Sequence, residues 1–99
     1  MKYILSNAAE SDLESIWLYT FQNWSVKQAD EYLNLVFSQI KVISKNPTVG
    51  KDYSKIRKGY FRFKIGSHYI FYKINQKNKI VEIIRVLHER MDIQARLNE

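Results

Sequence analysis

The 99-residue chain has no cysteine, one proline and only three glycines. Without cysteine it can form neither a disulfide framework nor a thiolate metal site. Two histidines alone do not suit a structural zinc site, so we expect no metal and no other cofactor. The glycines, Gly50, Gly59 and Gly66, are too scattered to cradle a phosphate group. Enzyme classes that depend on these motifs are therefore not indicated.

Long hydrophobic runs are also absent. No stretch approaches the roughly 18 consecutive apolar residues of a membrane span. The segment Met1 to Ser6 lacks the charged region and following apolar run of an export signal. We therefore expect a soluble, cytoplasmic protein with no membrane partner. Hydrophobic residues make up 45% of the chain and aromatic residues 14%, which predicts a single domain over residues 1–99 with a core that needs no cross-links.

Positive charge is concentrated in the second half of the chain. Residues 1–50 contain four lysines or arginines and five acidic residues, a net charge of −1. Residues 51–99 contain twelve lysines or arginines and five acidic residues, a net charge of +7. Such asymmetry points to an anionic partner, and charge alone does not choose among nucleic acid, an acidic protein tail and a membrane surface. The alternative is a solvated face that only keeps the protein in solution.

The first half has the pattern of two helices. After a short β-prone opening, Asn7 is predicted to cap a helix, with Glu10 completing a capping box. A second capping box, Ser25 to Gln28, restarts the helix after a very short turn, and Asn46-Pro47 ends it. We predict an antiparallel helical hairpin. Apolar residues recur along the first helix at steps of three and four, which predicts a core-facing stripe: Leu13, Ile16, Trp17, Thr20 or Phe21, and Trp24.

The second half has the pattern of strands. Residues 48–58 are polar and basic without a clear period, which predicts a surface loop. Apolar and polar residues then alternate from Tyr60 to Ile65, and Gly66-Ser67 predicts a hairpin turn to a strand over 68–74. The run 79–87 has little polar alternation, so we expect a central strand covered on both faces. A short helix is predicted over 90–97.

These elements predict an α+β fold in the order β-α-α-β-β-β-α. The N-terminal helical hairpin packs on one face of a mostly antiparallel, twisted sheet. The other face, which carries Arg62 and Lys64, is expected to be partly open. No repeat, low-complexity tract or linker divides the chain.

Several ordered motifs give the chain a family resemblance. The last strand runs Ile83-Ile84-Arg85-Val86-Leu87 into His88-Glu89-Arg90-Met91-Asp92. This ending resembles that of the ParE branch of the ParE/RelE bacterial toxins. The other motifs follow in the family's order along nearly the whole chain: Ala9-x-x-Asp12-Leu13-x-x-Ile16, Tyr19-Thr20, Trp24, Gln28-Ala29-x-x-Tyr32, Asn46-Pro47-x-x-Gly50, and His68-Tyr69-Ile70-Phe71-Tyr72.

The resemblance implies the same fold and a toxin of a type II toxin-antitoxin pair. ParE-type toxins inhibit DNA gyrase, trap cleaved DNA and block replication by binding, without catalysis. The partner implied is a ParD-like antitoxin whose disordered acidic tail folds along the toxin, giving a hetero-oligomer. The residues expected to contact the antitoxin are Leu13, Trp17, Phe21, Tyr32 and Tyr60. Those expected to contact the target are Arg57, Arg62, Lys64, Arg85 and His88.

An alternative is a RelE-like endonuclease that cuts mRNA on the ribosome. A metal-free ribonuclease needs a base for the 2′-hydroxyl, cations for the charged transition state and an acid for the leaving oxygen. The candidates for these roles are Arg62, Lys64, Arg85 and His88. After His88, however, the chain has no terminal tyrosine or basic cluster, and this departs from the RelE pattern. A third hypothesis is a toxin-derived module that retains only antitoxin binding.

Several candidates also have structural explanations. Arg85 in an apolar strand must find a carboxylate or carbonyl partner if it is buried, and this competes with target contact. His88 and Asp92 are four residues apart, so a helix starting near Glu89 would let them hydrogen-bond at its N-terminus. Tyr60, Tyr69 and Tyr72 lie among basic residues, which suits either RNA stacking or core and interface packing.

Overall fold

The computed structural model describes residues 1–98, so Glu99, the end of the predicted domain, lies outside the described residues. The chain folds as α+β, as predicted. Its helices and strands follow in this order: β1 (Lys2–Leu5), α1 (Asn7–Asn23), α2 (Val26–Lys45), β2 (Lys51–Asp52), β3 (Tyr60–Ile65), β4 (His68–Asn75), β5 (Ile80–His88) and α3 (Ile93–Leu97). The two-residue strand β2 is additional to the predicted order, because it lies in the segment that was predicted to be a loop.

The helical hairpin is fixed by two serine caps. Ser25 caps α2, with its hydroxyl accepting a hydrogen bond from the Gln28 backbone N–H, as predicted. The prediction for α1 was wrong by one residue: Ser6 is the cap, accepting from Ala9 N–H, and Asn7 is already helical. Ser6 also donates to the Ile84 carbonyl, so this cap ties the start of α1 to β5.

The five strands form one mixed sheet in the spatial order β1-β5-β4-β3-β2. β1 runs parallel to β5, and the other neighbours are antiparallel. β5 therefore lies between two strands, which confirms its predicted central position. A bulge interrupts the β4–β5 pairing, because Phe71 pairs with Arg85 and Tyr72 pairs with Ile83, leaving Ile84 as the extra residue.

The two faces of the sheet are covered by different elements. The helical hairpin packs on one face, where buried residues of α1 and α2 meet Ile70, Tyr72 and Val81. On the opposite face, Leu97 of α3 and Tyr53, in the loop between β2 and β3, cover Phe71 and Leu87. Side chains of β3 beyond this cover stay accessible, including Arg62 and Lys64. The second face is thus partly open, as expected.

Part of the predicted α1 stripe lies outside the core. Leu13 and Ile16 are buried, but Phe21 is exposed and Trp24 has 62% of its surface accessible. The sheet does not extend as far as the tip of the hairpin, so the periodic pattern continues past the surface that could bury it. Trp17 is partly buried. Its indole N–H donates a hydrogen bond to Asp30 on α2 over 2.8 Å and so links the two helices of the hairpin.

The Asn46-Pro47-x-x-Gly50 motif has a structural role after α2. The Tyr72 hydroxyl donates to the Pro47 carbonyl over 2.7 Å and accepts from the Gly50 N–H over 2.9 Å. A Cβ on Gly50 would lie 2.4 Å from that hydroxyl, so the close approach requires glycine. Burial raises the pKa of Tyr72, and the protonated hydroxyl is the form that can donate this hydrogen bond.

The C-terminal helix is shorter than predicted. It spans Ile93–Leu97 rather than 90–97. Residues 89–91 instead make a tight turn, in which the Met91 N–H donates to the His88 carbonyl. Within residues 1–98, no helix is both long and apolar enough to span a membrane.

Candidate functional site

Arg85 is buried and paired inside the fold. Its side chain makes a bidentate ion pair with Asp12 on α1, with Nε and Nη2 donating to the two carboxylate oxygens over 2.8 and 2.9 Å. Nη1 donates to the Arg96 carbonyl on α3 over 2.8 Å. With 9% of Arg85 exposed, this pair links the hairpin, the central strand and the C-terminal helix. The structure therefore contains both partner types expected for a buried arginine, a carboxylate and a carbonyl.

The sheet edge explains why Asp12 occupies this position. β1 ends at Leu5, opposite Ile83, so the later residues of β5 have no strand on that side. The carboxylate of Asp12 accepts the free Val86 N–H over 2.9 Å and replaces the missing strand partner. The bulge at Ile84 sets Arg85 at the same edge. One carboxylate thus satisfies both a side chain and a backbone group.

His88 and Asp92 act separately. His88 Nδ1 accepts a hydrogen bond from the Arg90 N–H over 3.1 Å. Asp92 caps α3 by accepting from Ala95 N–H over 3.2 Å. A His88–Asp92 hydrogen bond was predicted on the premise of a helix beginning near Glu89. That prediction was wrong, because the helix begins after Asp92 and the intervening turn separates the two side chains.

A histidine that the sequence analysis did not single out, His68, lies beside His88. Their ring centroids are 5.1 Å apart, and the Tyr32 hydroxyl is 2.6 Å from His68 Nδ1. Burial is the larger cause, and the neighbouring His88 the second, of a lowered pKa of about 4 for His68. His68 is therefore neutral near pH 7. Burial also raises the pKa of Tyr32, so its hydroxyl stays protonated.

Basic and aromatic residues share the partly open face of the sheet. Tyr60, Arg62 and Lys64 alternate along β3 and so point the same way, and their register partners on β4 include Lys73 and Tyr69. Lys64 pairs with Glu89 over 2.9 Å, which raises the pKa of Lys64 and lowers that of Glu89. We call this surface the tyrosine–cation face; it consists of Tyr53, Arg57, Tyr60, Arg62, Lys64, Tyr69 and Lys73.

The sheet separates the candidate nuclease residues. In the strand register, Lys64 lies opposite Tyr69, and Tyr69 lies opposite Leu87, so the side chains of these three residues share one face. His88 follows Leu87 and points to the other face, where it meets His68. Arg62 and Lys64 therefore lie on one side of the sheet and His88 on the other, with Arg85 buried at the edge. The strand register therefore does not gather the four side chains on one surface.

The residues expected to bind an antitoxin do not form one surface. Leu13 and Tyr60 are 4% and 8% exposed and belong to the two cores. Trp17 stacks on Phe21 along α1, with ring centroids 5.3 Å apart. Tyr32 lies on α2 against His68. Contact of these residues with a partner stays a prediction, and burial argues against it for Leu13 and Tyr60.

A groove of about 1100 Å³ lies between the helical hairpin and the sheet. It runs between the hairpin and the end of β5, and Tyr32, His68 and His88 contribute to its wall. Exposed apolar side chains border it on the hairpin and on the turn after β5. These are Tyr19, Trp24, Leu35 and Met91.

Sequence reasoning missed several residues at these sites. Asp12 was part of a quoted motif, yet nothing local identified it as the partner of Arg85, which lies 73 residues away. His68 and Tyr53 depend on strand register and loop path, which single-sequence patterns do not supply. The available signal for His68 was its position at the start of a strand beside a glycine turn. In residues 1–98, no cluster of three or more histidine, aspartate or glutamate side chains is arranged to hold a metal ion.

Comparison with known proteins agrees with this structure. Residues 3–93 match the family model described as "ParE toxin of type II toxin-antitoxin system, parDE". Toxin ParE1 of Caulobacter vibrioides is 41% identical over 95 residues, 96% of each chain. Toxin ParE1 of Mycobacterium tuberculosis is 40% identical over 96 residues, 97% of each chain.

Solved structures share the fold at low sequence identity. A chain from the chromosomal ParDE system of P. aeruginosa has a TM-score of 0.76 at 14% identity, covering 89% of this chain and 95% of that one. A chain of the RelBE2 toxin-antitoxin complex of Mycobacterium tuberculosis has a TM-score of 0.62 at 22% identity, covering 88% and 95%. The family match and these relatives show that the chain belongs to the ParE toxin family of type II toxin-antitoxin systems.

Proposed function

We propose that this toxin inhibits DNA gyrase by binding, blocks replication and catalyses no reaction itself. The observation that carries the proposal is the separation of the candidate nuclease residues by the sheet. Acid–base cleavage of RNA needs the base at the 2′-hydroxyl, the acid at the leaving oxygen and the cations at the phosphate between them, so that all of them surround one phosphodiester. Arg62 and Lys64 lie on one face, and His88 lies on the other. A binding mechanism makes no such demand, because contacts can spread over a surface.

The state of the His68 imidazole also supports binding over catalysis. A catalytic acid or base works best when its pKa lies near the working pH. Burial holds the pKa of His68 at about 4, and its Nδ1 is engaged with the Tyr32 hydroxyl. Arg85 is committed to Asp12 and the Arg96 carbonyl. We therefore assign Arg85 to the fold and retain Arg57, Arg62, Lys64 and His88 as candidates for target contact.

The proposed antitoxin is ParD-like, and the pair would act as a hetero-oligomer in the cytoplasm, where gyrase works. We place its docking segment in the groove between the hairpin and the end of β5. Exposed Tyr19 and Trp24 supply apolar surface there, and Arg90 supplies positive charge. An acidic segment with one apolar face fits both properties. Its ordering on binding must be offset by apolar burial.

A RelE-like, ribosome-dependent mRNA endonuclease is the second candidate. Two observations favour it: the fold shared with the RelBE2 complex and the basic residues on the accessible sheet face. In this case Arg62 and Lys64 would hold the phosphate, and the acid and base would have to come from groups brought close only on the ribosome. Mutation of Arg62 would then lower the cleavage rate by orders of magnitude.

Two assays performed side by side distinguish the candidates. The purified chain is added to a gyrase supercoiling reaction and to a cell-free translation extract. We expect supercoiling to stop while translation continues and its mRNA stays intact. Codon-specific mRNA cuts with gyrase unaffected would overturn the proposal in favour of the nuclease. An equal amount of the chain premixed with its antitoxin is the control and should restore supercoiling.

A further inference from the structure

Five cation–π contacts lie on one face of this small protein. Arg57 and Lys73 approach the ring of Tyr60 at 5.7 and 5.8 Å. Arg62 and Lys64 approach Tyr69 at 4.9 and 5.7 Å, and Arg62 also lies 5.3 Å from Tyr53. A cation within about 6 Å of a ring centroid is attracted by the negative face of the ring. These contacts indicate a surface on which rings fix the positions of cations.

Arg62 is the central cation of the tyrosine–cation face. Its guanidinium lies between the rings of Tyr53 and Tyr69. Within residues 1–98, no carboxylate lies within ion-pair distance of it. Its register partner on the neighbouring strand β2 is Lys51, which is exposed. A guanidinium fixed in place and without a carboxylate partner in this part of the chain can donate to an external anion.

Acidic residues only partly offset the charge of this face. Glu89 is occupied by Lys64, and Glu82 lies opposite Lys73 in the sheet register. Arg57 is hydrogen-bonded to Asn98, a neutral partner that leaves its positive charge uncompensated. Together with Lys51, the face keeps an excess of positive charge. A negatively charged ligand is the complementary one.

The chemistry of the face favours a nucleic-acid backbone over an acidic peptide. A peptide partner needs apolar anchors, yet the large apolar side chains of this face are buried: Phe71 and Leu87 are 0% and 1% exposed. Phosphate contacts need only fixed cations, and guanidinium groups match phosphate geometry. The tyrosine rings already carry cations on them, so they are not open for base stacking. A duplex, whose bases are already stacked, suits the face better than a single strand.

We propose that the tyrosine–cation face binds the phosphate backbone of duplex DNA, with Arg62 as the central contact. This inference deepens the proposed function and rests on it: a gyrase inhibitor would contact the DNA segment that gyrase holds as well as the enzyme. Binding is expected to be independent of sequence, because phosphate contacts carry no sequence information.

Fluorescence anisotropy with a labelled duplex of about 20 base pairs tests the inference without gyrase. We expect the wild-type chain to bind with an affinity that falls as salt rises. Arg62→Gln removes one phosphate contact, so the negative slope of log K against log salt should become about 0.9 less steep, equivalent to about eightfold weaker binding near 0.1 M salt. Lys73→Gln is a second probe of the same face and should weaken binding in the same direction.

Lys41→Gln is the matched control, because it makes the same charge change on an exposed position of α2, which packs on the opposite side of the sheet. It should bind nearly as wild type. The inference is overturned if the duplex does not bind, if Lys41→Gln weakens binding as much as Arg62→Gln, or if a single strand or polyglutamate binds more tightly. A negative result here leaves gyrase inhibition to be decided by its own assay, so the two failures are distinguishable.

Discussion

At the scale of single residues, the stability of the chain depends on how the charge of Arg85 is compensated. Its guanidinium is buried and held by Asp12 and by the Arg96 carbonyl. Breaking a buried pair by removing one partner leaves an uncompensated charge, which costs more than the pair itself contributes. The pair also tethers three elements through one side chain. Asp12 should therefore matter more than any exposed acid on α1.

We expect Asp12→Ala to lower the free energy of unfolding by about 3–5 kcal/mol. Arg85→Ala should have a large effect of the same sign, and the double variant should cost clearly less than the sum of the two. Urea denaturation of all three variants measures this coupling. Glu14→Ala, an exposed acid on the same helix, is the control and should change stability by less than about 0.5 kcal/mol. Additive effects of the two substitutions would contradict the account.

His68 should make stability depend on pH. Its folded-state pKa is about 4, below the ordinary value of 6.5, so the unfolded chain binds more protons between these two values. Stability from this group is complete above pH 6.5 and is lost as the pH falls towards 4. We expect His68→Gln to flatten the dependence of the unfolding midpoint between pH 7 and pH 5, and His88→Gln to retain most of it. An unchanged profile in His68→Gln would show that another group titrates there.

Some of these residue roles could be predicted from the sequence, and others could not. A buried arginine in an apolar strand requires a polar partner, so the type of interaction could be predicted. Its identity could not, because Asp12 lies 73 residues earlier and the two meet only through tertiary packing. His68 and His88 become neighbours only through the β4–β5 register, which one sequence does not determine.

At the scale of secondary-structure elements, the helical hairpin is held by local signals that act at its turn. Ser25 ends the two-residue connection and caps α2 through Gln28 N–H. Replacing an N-cap serine with alanine costs about 1 kcal/mol, in the range of 0.5–2. We expect Ser25→Ala to lower stability by about this amount in thermal or urea unfolding. Ser38→Ala on the exposed side of the same helix is the control and should be neutral or slightly stabilising, because alanine has the higher helix propensity.

Elements with strong periodicity or local caps were predicted well. The end of α2 at Asn46-Pro47, the hairpin turn at Gly66 and the central position of β5 follow from proline, glycine and continuous hydrophobicity. The errors fall where tertiary contacts decide. Ser6 is the cap in place of Asn7 because its hydroxyl also donates to the Ile84 carbonyl. Helix α3 begins later than predicted because residues 89–91 form a tight turn that is hydrogen-bonded to the His88 carbonyl. β2 forms only because β3 offers it an edge.

At the scale of the whole molecule, the sheet divides the chain into two surfaces of different chemistry. One side carries the hairpin, the apolar-bordered groove and the two histidines. The other carries the cations that tyrosine rings hold in place. The net charge of +7 in the second half was visible in the sequence, but the gathering of Arg62, Lys64 and Lys73 on one face follows from strand alternation and register. Two surfaces of different chemistry fit our proposal that an antitoxin and a target bind at different places.

We propose that this toxin acts on gyrase by binding and not by cutting RNA. The most direct test is to incubate purified gyrase, plasmid DNA and the chain, denature the reaction and measure protein-linked linear DNA. We expect linear DNA to accumulate as the concentration of the chain rises and to be absent when gyrase is omitted. Intact plasmid at every concentration, together with cut mRNA in a translating extract, would contradict it.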